Sequence, residues 1–332
     1  MPTKGLEKTF LKTIKEYNLF KKKDKLLLGV SGGPDSIALL YNVINLTKDY
    51  KLKIVCAHFN HGIRKESDRE EKFIKELCSK LNIDFVSEKK NVNDFFAGDS
   101  LEQTARELRF DFFLKVSRQV KIKKLVLAHH KNDLAETVLM RIIRGTGLKG
   151  LRGFLPKSQF RSLTVVRPFI DLEKEQILNW LNEKNIPFCL DKSNQEVKFL
   201  RNKIRIGLLP QLEAINESIT DRLSDLAVNA GLDYDFIYNF SKSEFRRLKQ
   251  KRSSRGLSLG LKGLKELHPA VFNNVIRIAI EQIKGNTRRI DQNHLIEVKK
   301  LVLEGREAAS IHLPKIVIKK EKKALSIQSL IL

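Results

Sequence analysis

The first half of the chain alternates short apolar runs with longer segments in which apolar residues recur every three or four positions. This alternation is typical of stacked β-α-β units, because the short runs suit buried parallel strands and the periodic segments suit covering helices. We therefore predict an α/β fold built on a doubly wound, mostly parallel sheet. The predicted strands are Leu26 to Val30, Lys53 to Ala57, Asp84 to Glu88, Lys124 to Ala128 and Ser162 to Val166.

Helices are predicted between these strands. One begins at Ser67, where SDRE has the pattern of a capping box. A second begins at Ser100 with SLEQ, and a third runs from about Asn132 to Arg144 and ends at the glycines of RGTGLKG. The apolar face of the first helix comprises Phe73, Ile74, Leu77, Cys78 and Leu81.

The chain changes character near Leu212. A helical period continues to about Leu248 and returns from Val271 to Ile283, while the terminal stretch IHLPKIVIKKEKKALSIQ suggests two short strands. A chain of 332 residues exceeds the usual size of one domain. We expect a catalytic domain over residues 1–214 and a smaller, basic α+β substrate domain over residues 215–332.

The charge of the chain favours a polyanionic partner. Lysine and arginine total 63 against 39 acidic residues, a formal net charge of +24. The excess leans towards the C-terminus, with 21 basic and 8 acidic residues from Ser241 to Leu332. A surface that is charged only for solubility is the alternative.

Composition excludes several classes of protein. The three cysteines, Cys56, Cys78 and Cys189, are far apart and form no C-x-x-C, so neither a disulfide framework, a zinc site nor an iron-sulfur centre is indicated. The N-terminus lacks a signal-peptide pattern, and no apolar stretch approaches the roughly 18–20 residues that span a bilayer. We expect a cytoplasmic protein with no membrane partner.

A glycine-rich hexapeptide, SGGPDS, joins the first predicted strand to a helix. Such a junction brings backbone N–H groups and a helix N-terminus to one point, which favours phosphate. It has no lysine of the GxxxxGK[ST] kind. We expect the glycines to let the main chain approach phosphate, the two hydroxyls to donate, and Asp35 to require Mg²⁺ between itself and phosphate. An ordinary capped turn is the alternative. The candidate residues are Ser31, Gly32, Gly33, Pro34, Asp35 and Ser36.

Polar residues also follow the second predicted strand, at the sheet edge where ligands of open α/β sheets bind. They are His58, Asn60, His61 and Arg64. The two histidines could be a metal pair, but no third ligand has an obvious place.

Two further groups of charges fall on predicted helices. Asp133, Glu136 and Thr137 share one face at a helix start, where they could bind Mg²⁺ or an amine, or could be simple dipole partners. Arg201 and Arg205 are one turn apart and could clamp phosphate, or could belong to a solvated basic face.

The stretch LLLGVSGGPDSIALL resembles the pyrophosphatase loop of the N-type ATP pyrophosphatases, the PP-loop superfamily. A wider set of motifs, in order from about Leu26 to Leu212, resembles the tRNA(Ile)-lysidine synthase family. These motifs are SGGPDS, HFNHGIR, LEQTARELRFDFF, AHHKNDLAETVLMRIIRGTG, VRPFIDL and DKSN…FLRNKIR…LLP. Ile63 stands where leucine is usual in that family. The later GREAASIHLPKIVIKKEKKALSIQ loosely resembles its C-terminal substrate domain.

The resemblance implies an adenine nucleotide alpha hydrolase-like fold and an ATP-dependent carbon–nitrogen ligase. Members of the family adenylate the wobble cytidine of the isoleucine tRNA with a CAU anticodon, release pyrophosphate, and let the side-chain amine of L-lysine displace AMP. The lysidine so formed switches decoding from methionine to isoleucine.

The resemblance also suggests roles for the candidate residues. The hexapeptide, with His58, Asn60 and His61, would bind ATP, and Asp35 would hold Mg²⁺. Asp133 and Glu136 would bind lysine or metal. Arg106, Arg201 and Arg205 would neutralise phosphate or the adenylate. The C-terminal basic residues would bind the tRNA backbone.

Two other functions are kept open. A PP-loop tRNA thiolase would adenylate a base and then deliver sulfur, but such enzymes rely on cysteines that are commonly paired. A non-catalytic basic RNA-binding protein could retain the loop for structure alone.

Overall fold

The chain divides into two compact units, Met1–Val228 and Asn229–Leu332. The computed structural model describes residues 3–62, 66–95, 101–189, 200–252 and 256–330. The assignment of a catalytic role to residues 1–214 and of a substrate-binding role to residues 215–332 stays a prediction.

A six-stranded sheet forms the centre of the first unit, in the order β3-β2-β1-β4-β6-β5. Neighbouring strands are parallel except for the last pair, β6 and β5. The predicted mostly parallel sheet is therefore confirmed, with one antiparallel edge strand added. The strands are β1 (Lys25–Gly29), β2 (Lys53–Asn60), β3 (Asp84–Lys89), β4 (Lys124–Val126), β5 (Lys157–Phe160) and β6 (Leu163–Val166).

Helices connect and cover these strands. They are α1 (Thr3–Glu16), α2 (Pro34–Asn45), α3 (Thr47–Tyr50), α4 (Glu66–Lys80), α5 (Leu101–Gln119), α6 (Lys131–Ile143), α7 (Leu148–Leu151), α8 (Lys174–Glu183), α9 (Leu200–Lys203) and α10 (Leu209–Ile215). A 3₁₀ turn spans Val92–Phe95, and a π-helical segment, Ile204–Leu208, joins α9 to α10.

Both faces of the sheet are covered, as a doubly wound fold requires. On β1, Leu26 and Leu28 pack into a core formed mainly with α1, α2, α4 and α8. Leu27 points to the opposite core, which contains the apolar side of α5. Successive side chains of a strand face opposite sides of the sheet. Because both sides are covered, all three leucines are fully buried.

One predicted helix start was wrong. Ser67 lies inside the first turn of α4, where it is buried, so it is not the residue that caps the helix. The predicted apolar face is confirmed, since Ile74, Leu77 and Cys78 are buried against the sheet. The predicted start at Ser100 lies outside the described residues.

The second unit is built on a five-stranded antiparallel sheet in the order β7-β8-β11-β10-β9. Its elements are the C-terminal part of α11 (Ile219–Leu248), β7 (Lys249–Arg252), β8 (Gly256–Gly260), α12 (Leu261–Glu266), α13 (Pro269–Lys284), α14 (Gln292–Glu304), β9 (Ser310–Leu313), β10 (Ile316–Lys320) and β11 (Ala324–Ser329). The prediction of two strands was too low. The terminal stretch forms three strands, β9 to β11, and two more precede it: KQKR has no apolar residue, and GLSLG shows its alternation at only two leucines.

No helix within the described ranges is long and apolar enough to span a membrane.

Candidate functional site

The site lies at the carboxyl ends of the strands, where the direction of winding changes. β1 pairs with β2 on one side and with β4 on the other, so the connections after these two central strands open a crevice between them. The predicted residues Ser31–Ser36 follow β1, and Asp133 follows β4. The fold therefore brings separate sequence motifs to one edge of the sheet.

The hydroxyl of Ser36 organises the loop after β1. Its Oγ accepts hydrogen bonds from the N–H of Ser31 at 3.1 Å and the N–H of Gly32 at 3.2 Å. It donates to the carbonyl of Gly33 at 2.9 Å, and the side chain is buried. In this state the Ser36 proton is used inside the loop, while the Ser31 hydroxyl lies at the exposed side, 3.2 Å from Ser36 Oγ.

Gly32 supplies the backbone conformation that the loop needs. Its φ of +91° lies in a region that L side chains rarely adopt. Its carbonyl accepts a hydrogen bond from the N–H of Cys189 at 2.9 Å, which fixes the loop against a distant segment. Helix α2 then begins at Pro34, and the N–H groups of its first turn have no partner within the helix. The loop thus retains the donors and the dipole of an anion site.

Asp35 forms an ion pair that the sequence did not predict. The Nζ of Lys174 lies 2.5 Å from Asp35 Oδ1. The Nε2 of His130 is 3.8 Å from the same oxygen. Lys174 opens α8 and His130 precedes α6, so the N-termini of α2, α6 and α8 meet here. No spacing in the sequence distinguished Lys174, because it stands 139 residues from Asp35.

His58 ties β2 to the loop. Its Nδ1–H donates to the carbonyl of Val30 at 2.9 Å. Burial lowers the pKa of this histidine, although the Val30 carbonyl and the charge of Glu71 oppose that shift. The ring is therefore neutral, and within the described residues its buried Nε2 has no hydrogen-bond partner. Because Nδ1 carries the proton of this neutral ring, Nε2 is a buried hydrogen-bond acceptor.

Asn60 has a supporting role in this structure. Its buried Nδ2 donates to Asp68 at 2.9 Å and to Glu71 at 2.8 Å, and its Oδ1 accepts from the N–H of Gly62 at 2.9 Å. The amide is thus engaged in shaping the connection after β2. The ring of His61 packs edge-on against Phe59, 4.9 Å between ring centres. The predicted Arg64 lies outside the described residues.

The predicted acids and arginines meet in one ionic network. Arg201 donates from Nε to Glu136 at 2.6 Å and from Nη2 to Asp133 at 2.7 Å. Arg205 donates from Nε to the other oxygen of Glu136 at 2.6 Å. Glu136 is 1% exposed and Asp133 is 9% exposed. Two cations thus neutralise two buried anions. In this structure the two arginines are bound to the acids and not to phosphate, and the two acids are bound to the arginines and not to an amine.

The contacts of the network favour the charged forms of Asp133, Arg201 and Arg205. Burial opposes ionisation of Asp133, but the positive charges of His130 and Arg201 outweigh it and hold the pKa of the carboxyl well below its usual range. Burial likewise opposes the charge of Arg201, and Asp133 and Glu136 outweigh it, so its pKa is raised. The pKa of Arg205 is raised by its contact with Glu136, again against burial.

Two further arginines, Arg106 and Arg109, lie near this network, and Glu102 is an acid whose charge acts on both. Partial desolvation and the charge of Arg201 lower the pKa of Arg106 against the opposing charge of Glu102, and its guanidinium, which keeps an exposed surface, stacks on Phe110 at 5.0 Å. Burial, Arg106 and Arg201 lower the pKa of Arg109 to about 10. Both remain protonated at neutral pH, and no ion pair among the described residues involves either one. Such mutual repulsion marks a place that favours an anion.

His129 and Arg167 also belong to this group of basic residues near the network. Neither was selected as a candidate from the sequence. Burial lowers the pKa of His129 well below its usual value against the opposing charge of Asp133, and the charges of Arg167, Arg109 and Arg201 act in the same direction as burial. Arg167 donates from Nη1 to the carbonyl of Leu155 at 2.7 Å. Burial and Arg106 lower the pKa of Arg167 to about 10. His129 and Arg109 do lie inside the motifs AHHKND and TARELR, so their motifs were recognised but not their roles.

The acids of the site that the structure describes do not form a complete Mg²⁺ site by themselves, so the phosphates of a substrate would have to supply the other ligands. Among the described residues there is no group of three or more histidines, cysteines or acids that could hold a metal ion. Asp35 offers one carboxylate beside the loop. Mg²⁺ commonly binds through one or two carboxylates plus substrate phosphates, so Asp35 suits an ion that arrives with ATP.

Two of the three cysteines, Cys56 and Cys78, contact each other, and Cys189 is separate from them. Cys56 and Cys78 are fully buried in the core of the first unit. Cys189 stands beside the loop, but burial and the charge of Glu70 raise the pKa of its thiol. A raised pKa disfavours the thiolate, which is the nucleophilic form.

Comparisons with known proteins agree with these motifs. A family model described as PP-loop domain matches residues 2–212. The tRNA(Ile)-lysidine synthase of Clostridioides difficile (strain 630) is 34% identical over 317 residues, which cover 94% of this chain and 68% of that protein. The tRNA(Ile)-lysidine synthase of Petrotoga mobilis is 37% identical over 229 residues, covering 68% of this chain and 72% of that protein.

The chain spans only part of the length of the curated relatives that it matches. It covers 62% of the tRNA(Ile)-lysidine synthase of Clostridium tetani, to which it is 36% identical over 296 residues. Among solved structures, the U34-tRNA thiolase NcsA of Methanococcus maripaludis matches with a TM-score of 0.58 at 17% identity, over 67% of this chain and 77% of that one. At that identity the likeness shows a shared fold only.

Proposed function

Since this chain belongs to the tRNA(Ile)-lysidine synthase family and carries its PP-loop domain over residues 2–212, we propose that it is an ATP-dependent ligase acting on tRNA. It joins L-lysine to the wobble cytidine of the isoleucine tRNA with a CAU anticodon. The observation that carries the proposal is the juxtaposition of the Ser31–Ser36 loop with the network of Asp133, Glu136, Arg201 and Arg205.

In the first step the loop binds the outer phosphates of ATP through backbone N–H groups and the N-terminus of α2. The C2 oxygen of cytidine attacks the α-phosphorus, the bond to the bridging oxygen breaks, and pyrophosphate leaves. Arg106 and Arg109 stabilise the charge that develops, because neither is held in an ion pair within 4.0 Å among the described residues and the charge of Arg201 lowers the pKa of each. His58 Nε2 and His61 are the candidates for contacts from the β2 side.

In the second step the side-chain amine of lysine attacks C2, and the C2–oxygen bond breaks as AMP leaves with the oxygen. Asp133 and Glu136 host the incoming ammonium group. In the structure both acids are paired with Arg201 and Arg205. Lysine binding therefore exchanges these partners and frees the arginines for the phosphate of the adenylate. One of these two carboxylates must also take up the proton that the amine loses as it attacks.

Mg²⁺ would be held by Asp35 together with phosphate oxygens, and when bound it would neutralise charge on the leaving pyrophosphate. The reaction takes place in the cytoplasm in this proposal, because its substrate is tRNA.

The second unit provides a surface for the tRNA backbone. A groove of about 600 Å³ lies between the end of α11 and α13. Lys242 and Arg246 lie one turn apart on α11, Lys249 follows at the start of β7, and Glu281 is the acid among the residues that line the groove. Cations arranged along a groove attract a phosphate backbone at any sequence.

Labelled lysine tests the proposed reaction directly. The full chain is incubated with ATP and isoleucine tRNA bearing the CAU anticodon, with methionine tRNA as the control. The proposal predicts that label enters only the isoleucine tRNA and that AMP and pyrophosphate form in equal amounts. Sulfur incorporation from a sulfur donor would support the thiolase reading. Tight tRNA binding with no pyrophosphate, whatever amine is supplied, would support a non-catalytic RNA-binding protein.

A further inference from the structure

The loop after β1 lacks the lysine with which GxxxxGK[ST] loops reach the outer phosphates of a nucleotide. The fold brings a lysine to the same point from another element, because Lys174 Nζ lies 2.5 Å from Asp35 Oδ1 at the start of α2. We infer that Lys174 binds the outer phosphates of ATP and so supplies the cation that the loop lacks. The inference rests on the proposed function, since it takes the loop to be the ATP site.

The position of Lys174 is fixed by its surroundings. Its backbone N–H donates to Asn132 Oδ1 at 2.9 Å, which fastens the start of α8 to the start of α6. The backbone N–H of Lys131 donates to the carbonyl of Leu172 at 2.8 Å and makes a second link between the same segments. The Lys174 side chain is 34% exposed, so the ammonium group is held beside the loop and is open to a ligand.

The neighbouring lysine is not equivalent. Lys131 also lies at a helix N-terminus of the site, but its Nζ is 2.6 Å from Asp221 and 3.6 Å from Glu173. Those acids hold it away from the loop. Lys174 is the lysine of the two that contacts a loop residue.

The ion pair with Asp35 gives Lys174 a partner in the absence of nucleotide, and the phosphates of ATP replace that partner when nucleotide binds. Without nucleotide, Lys174 and Asp35 neutralise each other, with His130 as the other charged or titratable group close to that oxygen. The phosphates of ATP carry more negative charge than one carboxylate, and they draw the ammonium group away from Asp35. Asp35 is then released as the carboxylate that accompanies Mg²⁺. A merely structural ion pair would not discriminate between nucleotides.

Measurements of nucleotide binding distinguish a phosphate-binding role of Lys174 from a purely structural ion pair with Asp35. The variants are Lys174→Gln, which replaces the ammonium group by a neutral polar amide on a slightly shorter side chain, and Lys174→Arg, which keeps the charge. Lys115→Ala is the control, because Lys115 also makes a 2.5 Å ion pair, with Glu88 on the edge strand β3. Affinities for ATP and for AMP are measured by equilibrium binding in magnesium buffer, with no tRNA and no lysine present.

Lys174→Gln is expected to weaken ATP binding about ten- to hundredfold and to leave AMP binding within about twofold, because AMP has no outer phosphates. Lys174→Arg and Lys115→Ala are expected to retain ATP binding within about threefold. Equal weakening of ATP and AMP, or no weakening of either by Lys174→Gln, would overturn the inference. Because binding is measured without tRNA, this result does not depend on whether the chain forms lysidine.

Discussion

Gly32 and Ser36 determine the shape of the loop, each through one chemical property. Gly32 lacks a Cβ and adopts a φ of +91°, and Ser36 places one hydroxyl where two N–H groups converge. The sequence predicted both residues as part of a phosphate loop. It assigned the Ser36 hydroxyl to phosphate, because hydrogen bonds that a turn makes within itself depend on dihedral angles that the residue types do not specify.

Replacement of Gly32 by alanine should separate backbone strain from loop function. A left-handed conformation costs an L residue about 1–2 kcal/mol, so the free energy of unfolding should fall by that amount. The control is Gly285→Ala, whose φ is +79° with no atom near the added Cβ. Both variants should lose similar stability in denaturant titrations. We expect only Gly32→Ala to lose ATP affinity, by more than about tenfold, and equal ATP affinity in the two variants would contradict the role of the loop.

Asp133 should stabilise the fold in a pH-dependent way. Its pKa in the folded chain lies below the unfolded value of about 3.9, so its ionised form stabilises the protein above about pH 4. That stabilisation is lost as the pH falls towards the folded pKa. The difference in unfolding free energy between the wild type and Asp133→Asn should therefore be largest near pH 7 and should shrink below about pH 4. The exposed Asp49→Asn is the control, and a difference that grows in acid would be the contrary result.

Glu136 should matter more than its position in the sequence suggests. The buried Glu136 carboxylate accepts hydrogen bonds from the Nε atoms of both Arg201 and Arg205. Glu136→Gln removes its negative charge, so the positive charges of the two arginines are no longer fully neutralised. Removing one partner of a buried ionic group costs about 3–5 kcal/mol. Denaturant titration should show a loss of that order. If lysine binding uses the same carboxylate, the apparent KM for lysine should rise much more than that for ATP, and an unchanged KM for lysine would assign the group to structure alone.

Elements, more than single residues, explain which predictions were correct. The parallel strands were predicted because their apolar runs are bounded by turn residues, and β1, with three fully buried leucines, is the clearest case. Strand β5 was missed because KSQF contains one apolar residue and pairs only at the sheet edge. The pairing of Arg201 with Glu136 joins residues 65 apart, and only the docking of α9 on α6 creates it.

The junction of α6 and α8 should control the position of Lys174. Asn132→Ala removes the acceptor of the Lys174 N–H, which should lower the unfolding free energy by about 1 kcal/mol and raise the apparent KM for ATP several-fold. Asn132→Asp keeps an acceptor oxygen, so its unfolding free energy and its apparent KM for ATP should both be close to those of the wild type. Full ATP affinity in Asn132→Ala, measured beside the aspartate variant, would show that the start of α8 does not depend on this bond.

At the scale of the whole molecule, the excess of positive charge is assigned to tRNA. Reversing two groove charges, Lys242→Glu with Arg246→Glu, should weaken tRNA binding at least tenfold and lower the slope of log affinity against log salt by about 1 for each lost phosphate contact. The matched control reverses Lys262 and Lys265 on α12, which are exposed and outside the groove lining. Equal losses in the two double variants would indicate general charge attraction and would remove the groove from the proposal.

Pyrophosphate release in a single turnover tests the central claim most directly. Enzyme in excess over ATP is mixed with isoleucine tRNA bearing the CAU anticodon, without lysine. If the Ser31–Ser36 loop holds ATP for attack by the cytidine, pyrophosphate should appear with that tRNA, be nearly absent with methionine tRNA, and be lost in Gly32→Ala but not in Gly285→Ala. Pyrophosphate that forms at the same rate without tRNA, or in the Gly32→Ala variant, would contradict the account.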